Sequence, residues 1–176
     1  MSASATSTHA ARGPLIVLAE LGKRDFAWLD SLRRNHYPAD RNRVPAHLTL
    51  FRSLPPSAEA EARRSLARAA ARRRPSAEVN GAIDLDSGVA VRIESRELEA
   101  VRDQLVLEFR GLLSVQDQGP WTPHVTIQNK VRPQLARKLL QDMRARLDRQ
   151  PIEITGLQLV RYDEGAWTPV AGWRFR

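Results

Sequence analysis

Apolar and polar positions alternate along the chain with two periods, and the switch between them marks out the elements. "PLIVLAEL", residues 14 to 21, is continuous in apolar residues at strand length and predicts a buried strand. From 23 to 36, Phe26, Trp28, Leu29 and Leu32 fall near one side of a helix that Pro38 ends. "PAHLTLFRSLPP", 45 to 56, is an apolar run with a histidine and a threonine two apart, so His47 and Thr49 share one strand face. The following segment, 57 to 74, is rich in alanine and arginine but poor in large apolar residues, which predicts a helix lying on the surface. Residues 77 to 85 and 89 to 95 read as a hairpin turned by "DSG", with Val79, Gly81, Ile83 and Leu85 on one side.

The pattern then returns to helical spacing at 96 to 114, with Leu98, Val101, Leu105, Phe109 and Leu112 as its stripe. "HVTIQNKV" is a further strand, and Pro133 opens a helix with Leu135, Leu139, Met143 and Leu147 in line. "IEITGLQLVRY" and "AWTPVAGWRF" close the chain as strands, the second alternating Trp167, Ala171, Trp173 and Phe175. Laid side by side, the halves match: each runs strand, helix, histidine-bearing strand, helix, strand. Pro45 and Pro123 come shortly before the histidines, and Pro56 and Pro133 open a helix nine residues after them. A duplicated unit is the economical explanation. Two copies packed about a pseudo-twofold axis would bring both histidines to one cleft.

Composition narrows the class without naming a function. The chain has 176 residues, 42% apolar and 27% charged, which suits a globular protein. Residues 14 to 176 are read as one domain of two lobes, after a disordered leader at 1 to 13 that lacks the apolar stretch of a signal peptide. No apolar run is long enough to span a membrane, and a cytoplasmic address is the default. Cysteine is absent, which removes disulfides and thiolate sites. The formal charge is +8, with arginine supplying 25 of the 28 basic side chains. Guanidinium matches phosphate geometry, so an anionic partner, nucleic acid first, is one reading. Codon bias in a GC-rich genome raises arginine and alanine together and is the other.

Of four histidines, His9 falls in the leader and His36 near a helix end, while His47 and His124 both open the pattern His-apolar-Thr-apolar. The residue types suit displacement at a phosphodiester. One group must take a proton from the nucleophile and another must give one to the leaving oxygen, and histidine does both near neutrality. Thr49 and Thr126 can donate hydroxyl hydrogen bonds to the non-bridging oxygens. The scheme calls for no metal and no cofactor. A zinc site is the chemical competitor for two facing histidines, but nothing of metal-ligand spacing surrounds either.

The paired "HLTL" and "HVTI" in duplicated halves of a small basic chain resemble the 2H phosphoesterase superfamily, and within it the RNA 2′,3′-cyclic phosphodiesterase or 2′-5′ RNA ligase family. The resemblance implies an α+β, bilobal, duplicated fold: two antiparallel-sheet lobes with outer helices around a central cleft. It implies metal-independent opening of a 2′,3′-cyclic phosphate on RNA or a nucleotide to a 2′-phosphate, and in some members reversible 2′-5′ ligation. By position, His47 and His124 become the catalytic pair, and Thr49 and Thr126 the phosphate ligands. Family members often carry a basic residue shortly after the second motif. Here Gln128 and Asn129 stand there, with Lys130 one place on, which strand alternation puts on the face of His124 and Thr126. Arg52 has the opposite parity to His47 and would reach the site only by way of a strand end or a bulge. Phe51, Tyr37 and Trp121 are candidates for stacking on a nucleobase. The expected protein is a monomer with an RNA or nucleotide substrate. A non-catalytic RNA-binding protein and an esterase for a non-RNA cyclic phosphate are the alternatives.

Overall fold

The computed structural model describes residues 13–176, so the leader expected at 1 to 13 lies outside the described residues except for Gly13. Gly13 is tied at both ends: its N–H donates to Asp163 Oδ1 at 3.1 Å and its carbonyl accepts from Arg161 at 3.1 Å. The strands are β1 (Leu15–Leu21), β2 (Leu48–Leu54), β3 (Glu78–Asp84), β4 (Val89–Glu94), β5 (His124–Gln128), β6 (Gln150–Pro151), β7 (Ile154–Asp163) and β8 (Ala166–Arg174). The helices are α1 (Lys23–His36), α2 (Glu59–Ala70), α3 (Arg96–Glu108), α4 (Val115–Gln118) and α5 (Pro133–Arg146). All strand pairs are antiparallel, in the order β6-β3-β4-β5-β2-β1-β7-β8. Four strands belong to each half, and the halves meet where β2 and β5 share the pairing Leu48↔Val125.

One face of this sheet carries the helices. α1 packs on β5, α2 on β7 and β8, and α5 on β3 and β4. Beneath them runs a single apolar core from Leu15 and Val17 of β1 through Leu48, Val91 and Val125 to Leu157 and Leu159 of β7. The other face is open and holds a small apolar group, Ile16, Leu18 and Val160 with Trp167 against them. Leaving this face uncovered makes the cleft.

Three expectations about the elements change. The helix at 57 to 74 ends at Ala70 and is not a purely surface helix: Ala62, Ser65, Leu66, Ala69 and Ala70 are buried, because small side chains let its backbone approach the sheet closely. The helix expected to 114 stops at Glu108, and Gly111 takes a left-handed turn, φ +85°, soon afterwards. In β3 the side chains do not alternate as the spacing predicts. Val79 pairs with Ile93 but Ala82 with Val91, so an extra residue bulges out where Gly81 has φ +84°. Val79 and Ala82 therefore face the core, while Ile83 and Leu85 turn to the cleft.

Candidate active site

The pairing Leu48↔Val125 places the two motifs head to tail across the middle of the sheet. Continuing that register by one residue either way sets His47 beside Thr126 and Thr49 beside His124. Leu48 and Val125 point into the core at 0% exposure, so all four polar side chains share the open face. All four line one cleft of about 830 Å³.

The two rings are held alike. His47 Nδ1 lies 2.7 Å from the carbonyl of Pro45, and His124 Nδ1 lies 2.7 Å from the carbonyl of Thr122. A carbonyl only accepts, so Nδ1 carries the proton in both rings and Nε2 is left free to act on a ligand. Each partner sits two residues before its histidine, which is why the approach to both strands matters. Burial pushes the His47 pKa down to about 4, opposed by the Pro45 hydrogen bond and reinforced by the nearby Arg33 and His124 charges. Trp167 stands edge-on to His47, with ring centroids 4.5 Å apart and an interplanar angle of 67°.

Both histidine strands bulge at the same place. In β2, Leu18 pairs with Thr49 and Val17 with Phe51, leaving Leu50 extra. In β5, Ala90 pairs with Thr126 and Val89 with Gln128, leaving Ile127 extra. Each is the third residue after its histidine, and each reverses the parity of the residues after it. The bulge brings Arg52 to the cleft and Asn129 to its counterpart position, each the fifth residue after a histidine. Lys130 is not brought there: it has φ +61°, is exposed, and leaves the cleft wall to Asn129.

The same reversal sends Phe51 into the core, fully buried and packed edge-to-face on Phe109 at 5.5 Å, so it cannot stack on a base. Tyr37 is also unavailable, since its ring is covered by the Arg33 guanidinium at 4.2 Å and does not line the cleft. Trp121 does line the cleft, anchored by its indole N–H donating to the carbonyl of Thr49 at 3.0 Å.

Two buried arginines cross between the halves. Arg33, on α1, donates to the carbonyl of Thr126 at 2.8 Å and to Asn42 Oδ1 at 2.8 Å. Arg102, on α3, donates to the carbonyl of bulged Leu50 at 3.1 Å and of Asp117 at 2.8 Å, between the rings of Phe51 and Trp121. The Asp117 carboxylate, in α4, accepts the N–H groups of Arg52 and Ser53 at 2.9–3.1 Å. Bulged strands leave such N–H groups without ladder partners, and a buried carboxylate satisfies them. Burial lowers the pKa of both guanidiniums from the ordinary value. Neither arginine, nor Asp117 or Trp167, stands out in the sequence. The legible signal is an arginine on the buried side of each helix, Arg33 four residues after Leu29 and Arg102 four after Leu98 and three before Leu105. Trp167 gives none, because Val170 is an extra residue in β8 and puts Trp167 on the opposite face from Trp173.

Among the described residues, no three His, Cys, Asp or Glu side chains gather closely enough to hold a metal ion, and no helix is long and apolar enough to cross a membrane. The family model of the 2′-5′ RNA ligase superfamily matches residues 22–166. The chain belongs to that superfamily. TT0787 of Thermus thermophilus has a similar fold, at 18% identity and TM-score 0.65 over 93% of this chain and 98% of that one. So does Escherichia coli LigT, solved with 3′-AMP (21% identity, TM-score 0.56, 93% and 98% covered) and with NADP+ (16%, 0.58, 94% and 99%). No curated protein matches the chain by sequence. The expected α+β fold of the 2H phosphoesterases is thereby shown, with the two lobes sharing one continuous sheet.

Proposed function

We propose that this member of the superfamily is a phosphodiesterase that opens 2′,3′-cyclic phosphates of RNA ends or nucleotides to 2′-phosphates, using His47 and His124 as the proton-transfer pair. The observation that carries the reading is the crossed arrangement of His47 beside Thr126 and Thr49 beside His124, with both Nδ1 atoms occupied by carbonyls. A phosphate over this square meets two hydroxyl donors and two imidazole Nε2 atoms. The nucleotides held by E. coli LigT fit the same substrate class.

In hydrolysis a water oxygen attacks phosphorus and the bond from phosphorus to the 3′-oxygen breaks. His47, kept neutral by its crowded surroundings, takes the water proton on Nε2. His124, across the phosphate, delivers the Nε2 proton to the leaving 3′-oxygen. Thr49 and Thr126 donate to the non-bridging oxygens as charge builds on them. Arg52, on the cleft wall, adds a positive charge that the equivalent Asn129 does not. A 5′-hydroxyl in place of water forms a 2′-5′ linkage with the same roles; in the reverse direction the 3′-hydroxyl attacks phosphorus, the bond to the 5′-oxygen breaks, and the two histidines exchange roles.

The test is to incubate the protein with 2′,3′-cyclic mononucleotides and with cyclic-phosphate-ended oligonucleotides and to identify the product by phosphorus NMR. A 2′-phosphate, formed equally with and without EDTA, is the expected result. A 3′-phosphate, or turnover abolished by the chelator, overturns the mechanism. Binding of RNA ends without turnover of any cyclic phosphate would favour a non-catalytic RNA-binding role.

A further inference from the structure

Behind Trp167 and His47, on the open face of the first half, lies a second recess of about 400 Å³. It shares those two residues with the catalytic cleft, so a ligand passing over His47 enters both. Its walls are apolar and partly aromatic: Leu18, Val160, Trp167 and Phe26, the last 37% exposed. Its polar groups are Glu20 and Gln158, with Lys23 also in the lining.

Glu20 is the unexpected member. It sits on β1 two residues after Leu18 and so points to the open face, opposite Gly156 of β7. A Cβ at Gly156 would come within 3.0 Å of Glu20 Oε2, so the missing side chain leaves the carboxylate its space. Among the described residues the carboxylate makes no hydrogen bond and no ion pair. A half-buried anion next to a phosphate site in a chain of net charge +8 works against anion binding. Glu20 offsets Lys23, the one lysine or arginine in the lining, so the recess has no surplus cation for a second phosphate. An apolar, aromatic-walled slot with an unpaired carboxylate suits a flat ring that carries N–H donors.

We infer that this recess is a nucleobase subsite for the nucleoside next to the one bearing the reacting phosphate, and that Glu20 selects guanine there. The assignment to the neighbouring nucleoside rests on the proposed function, because the catalytic cleft is already large enough for the nucleotide that carries the phosphate. Guanine alone among the four bases presents two adjacent N–H donors, N1–H and the 2-amino group, on its Watson–Crick edge. A carboxylate accepts that fork with both oxygens. Adenine and cytosine each place an acceptor beside their donor, which faces the carboxylate with repulsion. Uracil offers one donor between two carbonyls. Trp167 and Phe26 supply apolar faces that any base can use.

The test measures binding by calorimetry of dinucleotides that end in a 3′-phosphate, with guanine, adenine, cytosine or uracil as the neighbouring base, at one salt concentration. Guanine is expected to bind about tenfold more tightly than adenine, the scale of one bidentate base contact. In Glu20→Gln, whose amide keeps the shape but accepts one hydrogen bond and donates another, that preference falls to within about threefold. A wild-type protein indifferent to the neighbouring base overturns the inference, as does a guanine preference that survives Glu20→Gln. Dinucleotides that bind no better than a mononucleotide 3′-phosphate also overturn it. Because binding is read rather than turnover, the absence of cyclic phosphodiesterase activity would defeat the proposed function while leaving the base preference measurable.

Discussion

The half of the site built on β2 and the half built on β5 start from the same four-residue pattern and end in different electrostatic surroundings. His47 is crowded by Trp167 and by burial, whereas no aromatic ring stacks on His124 among the described residues. Five residues after His47 the bulge presents Arg52, and five residues after His124 it presents Asn129. The bulge in β2 is held by Arg102, Asp117 and Trp121 together. The one in β5 is held by Arg33, and beside it the buried Gln128 Oε1 has no hydrogen-bond partner among the described residues. The two halves repeat one scaffold, and different residues at the equivalent positions put a cation, Arg52, on one wall of the cleft and an amide, Asn129, on the other. The two halves also depend on each other, since each crossing arginine grips the histidine strand of the opposite half.

The sharpest way to break the comparison is to remove the rings singly. His47→Ala and His124→Ala should each lower kcat by about 10³-fold, within the range of a general acid–base contribution. The double variant should be little worse than either single one, because the pair acts as a unit. Additive losses would mean that the histidines serve separate steps. Next in size are the crossing arginines. Arg102→Met leaves the buried carbonyls of Leu50 and Asp117 unpaired and should cost about 3 kcal/mol in a denaturant titration. Arg33→Met, which strips Thr126 of its partner, should cost about 2 kcal/mol. Arg102→Lys should not restore stability, since an ammonium cannot fork to both carbonyls. Equal, negligible losses would show that the crossing contacts are ornamental.

At the cleft wall, Arg52→Ala should raise KM about tenfold with a smaller change in kcat, and Asn129→Ala should change KM by no more than about threefold. Asn129→Arg tests the comparison from the other side, since a second cation there should tighten phosphate binding if the site is symmetric enough to use it. A further effect, comparable in size with the arginine losses, is on stability against pH. With its folded pKa lowered from 6.5 to about 4, His47 resists protonation in the native state while the unfolded chain accepts the proton readily. Its contribution to stability is therefore present above pH 6.5 and is lost as the pH falls toward 4. His47→Asn should flatten the curve of thermal stability against pH in that window, and an unchanged slope would contradict the burial of a neutral ring there.

How much of this could be read in advance depends on one structural device. The long strands and helices follow from apolar period and from the proline positions, with the helices after the second and fourth strands ending earlier than expected, and both motifs open on one cleft. Side-chain direction beyond a bulge does not. Counting by twos from His47 places Arg52 away from the site, and counting by twos from His124 places Lys130 in it; Leu50 and Ile127 reverse both. Val170 does the same to Trp167, and the residues near Gly81 to Ile83 and Leu85. A bulge adds one residue to a strand without altering its composition, so periodicity carries no trace of it. The buried arginines are hidden for another reason. On a helix an arginine reads as solvent-facing, and only the opposite half supplies the carbonyls that make its burial tolerable.

The most direct test of the account is the pH dependence of kcat/KM for a 2′,3′-cyclic mononucleotide, a substrate whose phosphate does not titrate in the range of interest. If His47 and His124 are the proton-transfer pair, the profile is a bell whose acid limb, set by the burial of His47, lies near pH 4 and well below 6.5. A profile with a single ionisation, or an acid limb at or above pH 6.5, would contradict the assignment of His47 as the neutral base opposite His124.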